Sequence, residues 1–523
     1  MWLARLQGSL PWAGIVLFGL ITLAATLQAL GEVGVVAAQS ADPVVWHGLL
    51  LTVTFFGALA LLIAAVRYLA TSPARGASMA IGVGLVLVVA VRVLVVFLID
   101  APVDRDMRYY DEVAAGFLRG ECCFETRPLG YPLLLAGAYG LIGRGTLAGE
   151  ALNIAAAFAG ALVLAAVVRR SFGGPAAAVT VVLYACWPAG ALMTSARMAE
   201  TVYMTQIQFA VGAIVIGGVG AGWGLMAGAI LGVSQYVRAT SVALIPVFVL
   251  ARLIGSSPRH RPGTPWVGRR WRGLAMGSAA LVFGFVLVLT PVIWHNLRAH
   301  QELSLSTHSY GGLSVWQGSD QESGGRFSWE TWLAYPHLSP GDLWEDGKVA
   351  ARLGWQRIAD DPGAFLALQQ RKFPFTWGSE DYGLLFAVGA QAPPEPRHTF
   401  PRLAGQFFYA GVTLSAFLTL LSRRRLPLDR LTLIVVGVAL TVAGIHFFLE
   451  ARERYHMYVV PLMMAIAAIG IVNALDRVHR TRANGAGGRA VMAGGTSGDG
   501  RNSRLQGDET DAGPGSGSAE SWP

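Results

Sequence analysis

The sequence predicts an all-α polytopic membrane protein with about twelve transmembrane helices. Three observations predict it. Of 523 residues, 54% are apolar and only 14% carry charge, against about 25% charged residues in an ordinary soluble domain. The mean hydropathy is +0.49. Apolar runs near 20 residues recur along the chain, each long enough to cross a hydrocarbon layer roughly 30 Å thick. A soluble globular protein, a disordered chain and a nucleic-acid module are excluded as main readings. The net charge of +8 comes from 40 basic residues, of which only Lys348 and Lys372 are lysines. In a membrane protein such residues report topology before they report partners.

In chain order the apolar runs fall near 11–31, 47–69, 77–98, 147–168, 175–193, 201–219, 223–237, 239–254, 273–294, 403–421, 430–449 and 456–475. The first follows Arg5 and has no small-residue cleavage site, so it reads as a retained helix with its N-terminus inside. The Arg-rich connections are Arg67 and Arg75, Arg169 and Arg170, the block from Arg252 to Arg272, Arg423 to Arg425, and the tail from Arg477. All are cytoplasmic only if even numbers of crossings separate them. That parity assigns two ambiguous segments. Leu129 to Gly143, with Pro132 inside it, lies in the outer interface. Gly222 to Ala251 is two short helices meeting near Arg238.

The long extracytoplasmic segments are then 100–150, the first outer loop, and 295–402, a small subdomain on the outer face. In the latter, Asp361 followed by Pro362 marks a helix start. Two N-terminal helices occupy 1–76, the main bundle 77–475, and a Gly- and Ser-rich tail 476–523 reads as a disordered cytoplasmic end. Cys122, Cys123 and Cys186 make neither a disulfide framework nor a zinc spacing.

A charged residue in a membrane span costs roughly 2.5–3.5 kcal/mol at the helix centre and tends to face a cavity. On this topology Asp100, Asp104, Asp106, Arg197, Glu200, Arg238, His295, Arg298, His446, Glu450, Arg452 and Arg454 lie at outer helix ends or just beyond. Inner ends carry mostly Arg. The asymmetry indicates a polar cavity open to the outside that holds both acids and bases. In the first outer loop Tyr110, Val113, Ala114 and Phe117 recur at spacings of three and four, the pattern of an interfacial amphipathic helix with Asp106 at its N-terminal end. Asp104-Arg105-Asp106 is a three-residue echo of a DxD metal motif, too short to support a metal.

The stretch from Asp106 through Arg127-Pro128 to YPLLLA resembles the first outer loop of GT-C superfamily glycosyltransferases of the protein O-mannosyltransferase and aminoarabinose transferase type. Later segments agree in order: Trp187-Pro188 with SARMAE ending at Glu200, GVSQYVRATSVALIP around Arg238, PVIWHNLRAHQELSLSTHSYGGLSVWQG from Pro291, DDPGAFLALQQRKF around Pro362, and RERYHMYVVPL around Tyr455. The resemblance covers roughly 77–475. It implies a GT-C-like bundle in the cytoplasmic membrane that transfers a sugar from a polyprenyl-phosphate carrier to a glycan, lipid or protein acceptor outside. By position, Asp106 matches the family's essential loop aspartate and Glu200 an acid at the outer end of a later helix. Arg127 falls where a basic residue neighbours the carrier phosphate, and Arg238 lies in the corresponding outer turn. Met107, Thr126 and Pro128-Leu129-Gly130 depart from the family pattern, so no donor identity is implied.

The chemistry suits these residue types. One carboxylate, Asp106, would serve as general base, with Asp104 and Glu200 as the other candidate catalytic acids. A phosphate leaving group needs positive charge, not a general acid, and Arg127, Arg238 and Arg454 are candidates because a guanidinium binds phosphate oxygens bidentately. Tyr110 and Tyr455, with Tyr310 and Trp316, are candidates to hold sugar or acceptor. Direct displacement would invert the anomeric centre. No cofactor, metal or nucleotide motif is read. The alternatives are an oligosaccharide ligase or polymerase using a diphosphate-linked donor, a lipid or solute transporter, and a non-catalytic scaffold.

Overall fold

The computed structural model describes residues 2–72, 75–103, 105–121, 127–218, 220–254, 269–308, 311–328, 343–389, 395–423 and 429–493. Asp104, Cys122, Cys123, Tyr310 and 494–523 lie outside the described residues. Among the described residues nineteen α-helices follow one another. The first six are α1 (Trp2–Ala38), α2 (Pro43–Thr71), α3 (Gly76–Leu98), α4 (Arg105–Leu118), α5 (Gly130–Ile142) and α6 (Thr146–Phe172). Then come α7 (Gly174–Ala185), α8 (Pro188–Leu192), α9 (Glu200–Val215), α10 (Ala221–Val237), α11 (Ile245–Ile254), α12 (Arg269–Ala299) and α13 (Gly311–Gly318). The last six are α14 (Leu343–Asp360), α15 (Pro362–Trp377), α16 (Tyr382–Val388), α17 (Thr399–Ser422), α18 (Arg430–Phe448) and α19 (Val460–Ala493).

Each predicted run overlaps helical structure, and among the described residues eight helices are long and apolar enough to cross a membrane. The other four runs are shorter. The 175–193 run breaks: α7 has 12 residues, about 18 Å at 1.5 Å per residue, and Trp187 is extended before Pro188. A residue preceding proline is pushed out of the α region, and Arg92 stabilises the break by donating to Tyr184 O at 3.3 Å. Gly222 to Ala251 divides as the charges predict. Arg238 is extended, a 3-10 turn follows at Ser241–Leu244, and α11 returns.

Other segments bear on where the site sits. Asp361 caps α15, accepting from Ala364 N at 2.8 Å, with Pro362 in the first turn. The two N-terminal helices are not appended to the bundle but built into it. Phe18, Ile21 and Ala25 are buried in the core, Gln406 of α17 donates to Ala25 O at 2.9 Å, and Glu32 pairs with Arg402 at 2.6 Å. The chain divides into 1–473 and a unit from 474 onward. Within the latter, the predicted structureless tail is helical as far as Ala493, where Thr481 Oγ1 donates to Arg477 O at 3.1 Å.

Helices α10 and α12 pack backbone to backbone. Gly224, Gly228 and Gly232 recur every fourth residue and so share one face. A Cβ at Gly224 would sit 2.0 Å from Gly277 O, and one at Gly228 would sit 1.9 Å from Leu281 O. Small residues at this spacing let two backbones approach in a membrane, where van der Waals packing replaces the hydrophobic drive. The approach aims the end of α10, and with it Arg238. Gly228→Leu is therefore expected to destabilise the chain by about 3 kcal/mol, read as a lowered unfolding midpoint in detergent. An unchanged midpoint would refute the close packing.

Candidate functional site

Five segments deliver charge to one end of the bundle. Asp106 stands in the first turn of α4, whose Met107, Tyr110 and Ala114 are buried. Glu200 is the first residue of α9, where its carboxylate meets the positive end of the helix dipole, and Arg238 caps the C-terminus of α10, where a cation is favoured. Arg454 and Tyr455 lie on the 3-10 turn Glu453–His456 that leads into α19, and Arg127 precedes α5. In space they alternate in sign. Arg127 Nη1 donates to Asp106 Oδ1, and Arg454 Nη2 donates to Asp106 Oδ2 at 2.6 Å. Arg454 Nε lies 3.2 Å from Glu200 Oε1, which also accepts from Arg238 Nη2 at 2.5 Å.

Burial would raise the Asp106 carboxyl, but Arg454, Arg127 and Arg452 together outweigh it and hold it far below the usual carboxylate range. The same exchange raises Arg454 despite its burial, through Glu200 and Asp106. Burial, reinforced by Asp106 and Glu200, pushes the Tyr110 hydroxyl up to about 12, so it is a hydrogen-bonding group and not an acid. This bears on the expectation that Asp106 is the general base. Both oxygens of Asp106 are occupied by guanidinium groups, which makes it an arginine anchor in this structure and a poor proton acceptor. Its partner in that expectation, Asp104, lies outside the described residues.

Around this network is a cavity of about 230 Å³, lined by Asp106, Tyr110, Arg127, Arg238, Glu450, Arg452, Arg454 and Tyr455, and by His308 and His446. Arg238 lies over the Tyr455 ring at 5.3 Å, His446 stacks on that ring at 4.2 Å, and Tyr455 donates to Glu450 Oε1 at 2.6 Å. Four guanidinium groups against the three carboxylates of Asp106, Glu200 and Glu450 leave the site one positive charge. Burial, with Arg127 nearby, pulls His308 down to about 4, so it adds none at neutral pH.

The turn carrying Arg454 is pinned from beneath. His456 is fully buried; its Nδ1 donates to Thr376 O at 2.6 Å and its Nε2 faces Glu380 Oε1 at 3.2 Å. Trp187 Nε1 donates to the other Glu380 oxygen at 3.2 Å. The broken helix at Trp187 thus supports the site.

Of the predicted site residues, Asp106, Glu200, Arg127, Arg238, Arg454, Tyr110 and Tyr455 gather here. Trp316 does not; it is buried beside Leu313 and Ala350. Glu450 and Arg452, predicted only as helix-end charges, line the cavity. Their signal was the two-residue spacing of Glu450 and Arg452, which puts them on one side of an extended segment. Ala451 pairs with Arg326 and Arg452 is extended, but nothing local announces an extended stretch between two helices. Among the described residues no three His, Cys, Asp or Glu side chains cluster as metal ligands.

The sequence matches no known family profile and no curated protein. Among solved structures the chain is similar to the Archaeoglobus fulgidus oligosaccharyltransferase in its apo form, with 13% identity and a TM-score of 0.46 over 79% of this chain and 52% of that one. It is similar to the archaeal oligosaccharyltransferase AglB from Archaeoglobus fulgidus in complex with an inhibitory peptide and a dolichol-phosphate, with 13% identity and a TM-score of 0.44 over 82% and 52%. ArnT from Cupriavidus metallidurans bound to undecaprenyl phosphate is similar at 17% identity and a TM-score of 0.33, over 73% and 77%. The chain thus spans about half the length of the archaeal proteins.

Two outcomes follow from the geometry. Asp106→Asn and Arg454→Ala should each destabilise the chain by about 3–5 kcal/mol, since each strands a buried charge. The double variant should fall short of the sum by about 1 kcal/mol or more, and additive losses would show the pair uncoupled. For His308, the unfolded chain takes up a proton near pH 6.5 and the folded one only near pH 4. Stability therefore falls as pH drops through that window. His308→Gln should flatten this part of a stability–pH curve, and an unaltered curve would refute the shift.

Proposed function

We propose that the protein is an integral membrane glycosyltransferase that moves a sugar from a polyprenyl-phosphate carrier to an acceptor hydroxyl on the extracytoplasmic side. The cavity is the observation that carries this reading: an excess of guanidinium groups at the end of an apolar helical bundle. A lipid-linked phosphate needs apolar surface for its chain and fixed positive charge for its head at the same depth. Arg127, Arg238 and Arg454 supply that charge where it grows on the leaving phosphate. Asp106 and Glu200 hold the guanidinium planes in place, so no reorganisation is required at the moment of reaction.

Sidedness follows from the Arg distribution. Arg169 and Arg170 end α6 and Arg252 lies in the last turn of α11, at the helix ends opposite those that carry Glu200 and Arg238. The positive-inside bias then puts the cavity outside the cytoplasmic membrane. Size supports a single sugar. The volume of about 230 Å³ is below the roughly 300–1,000 Å³ of drug-sized sites, which favours a monosaccharide on a monophosphate over an oligosaccharide on a diphosphate. Transfer by direct displacement would invert the anomeric centre. The leaving phosphate is already stabilised by arginine, so the reaction as proposed needs no cofactor. The acceptor is a glycan, lipid or protein hydroxyl.

Undecaprenyl phosphate titrated into the purified chain tests the phosphate role. Arg127→Ala and Arg454→Ala should each weaken its binding about 10- to 100-fold, the loss of one charge-assisted hydrogen-bond donor. Transfer from a panel of undecaprenyl-phosphate-linked hexoses and pentoses tests the reaction. Binding at wild-type strength in both variants would sink the phosphate assignment.

A further inference from the structure

The proposed reaction needs a proton acceptor, and Asp106 has no free oxygen to offer it. Glu450 has one. It lines the cavity at 4% exposure. Its Oε1 accepts from Tyr455 Oη at 2.6 Å and faces Arg452 Nε at 3.5 Å, whereas its Oε2 is buried without a hydrogen-bond partner. Leaving a buried carboxylate oxygen unpaired is costly, so this oxygen is the one placed to accept from a donor that enters the cavity. Glu200 also has an unpaired Oε2, but that residue is not part of the cavity wall. Among the described residues the other buried side-chain acceptor of the wall without a partner is His308 Nδ1, on a neutral ring.

The backbone beneath Glu450 is fixed. Glu450 N donates to Ser314 O at 2.8 Å and Ala451 N to Gly325 O at 2.9 Å. A Cβ at Gly318 would meet Leu449 C at 2.4 Å, so α13 rests directly on this segment. Lys372 Nζ, buried in α15, ties the ends of α13 and α18 together through Gly318 O at 2.8 Å and Phe447 O at 2.9 Å. His446 Nδ1 contacts Glu450 O at 3.0 Å while its ring stacks on Tyr455. One oxygen of the carboxylate is therefore held by Tyr455, and the other, buried and without a hydrogen-bond partner, belongs to a residue of the cavity wall, within reach of a group that enters beside it.

We propose that Glu450 is the catalytic base of the transfer, an assignment that rests on the transferase reading of the cavity. Its Oε2 takes the proton of the acceptor hydroxyl as that oxygen bonds to the anomeric carbon. The bond from the anomeric carbon to the phosphate oxygen breaks, and its electron pair leaves with the polyprenyl phosphate, which Arg127, Arg238 and Arg454 hold. Glu450 then returns the proton to solvent. Asp106 serves as a positioning residue for Arg127 and Arg454.

The test uses the full chain, undecaprenyl phosphate as binding probe and the panel of undecaprenyl-phosphate-linked hexoses and pentoses as donors. Glu450→Gln should lower the transfer rate by about 10²- to 10⁴-fold while undecaprenyl phosphate binds at least as tightly as in the wild type, since a negative charge beside the phosphate is removed, a loss in kcat and not in binding. Glu450→Asp should recover part of the rate, and formate should partly restore Glu450→Ala. Asp106→Asn should alter undecaprenyl phosphate affinity, because it frees the two arginines. Wild-type turnover by Glu450→Gln would overturn the assignment, as would a loss of affinity matching the loss of rate. If His308→Gln loses the rate and Glu450→Gln does not, the imidazole is the base instead. A wild-type chain that neither binds undecaprenyl phosphate nor transfers from any donor would remove the transferase reading itself, and Glu450 with it.

Discussion

The ion chain from Arg127 through Asp106, Arg454 and Glu200 to Arg238 is what the end of this bundle is built around. Each member is expensive to bury alone, and each is stabilised only by neighbours from other parts of the sequence. Arg454 is the central link, since it touches both acids and comes from a turn more than 300 residues after Asp106. The chain therefore acts as a set of cross-braces. It fixes α4, α9, α10 and the approach to α19 relative to one another where the apolar packing of the bundle runs out.

This arrangement also divides labour among the acids. Asp106 gives both oxygens and Glu200 one to arginines, so their contribution is to aim positive charge. Glu450 stands at the margin of the network, with one oxygen engaged by a phenol and the other by nothing. The phenol is held by stacking on His446, and the main chain is held by α13 through Glu450 N and Ala451 N. Carboxylates within one small cavity thus differ in what they can do because their partners differ, not their chemistry. A second layer reinforces the first. Glu380, His456 and Trp187 sit below the turn, and the break between α7 and α8 places the Trp187 indole against Glu380.

Parts of this were legible in the residues. The helix order, the paired helices around Arg238 and the cap at Asp361 follow from apolar run length, charge parity and the Asp-Pro signal. So does the collection of opposite charges at one end of the bundle. Less legible was what each charge does. Asp106 reads as a base because an acid at a helix start beside a resemblance to known enzymes invites that role, and nothing near it in sequence says that Arg454 will cover its second oxygen. Arg452 and Glu450 read as anchors because their alternation means something only in extended backbone, and that conformation is imposed by pairing with residues near 325. The α7 break was hidden because Trp187-Pro188 interrupts an otherwise continuous apolar run without adding charge.

By itself the sequence determined that this chain is a multi-pass helical membrane protein, where its apolar helices run, and that acids and bases gather at shared helix ends. These are properties of composition and local order, and a hydrocarbon solvent enforces them segment by segment. Only the tertiary structure decided which carboxylate is saturated and which is left open. Pairing between charges depends on distances of a few ångströms between residues hundreds of positions apart, and no local pattern encodes those distances.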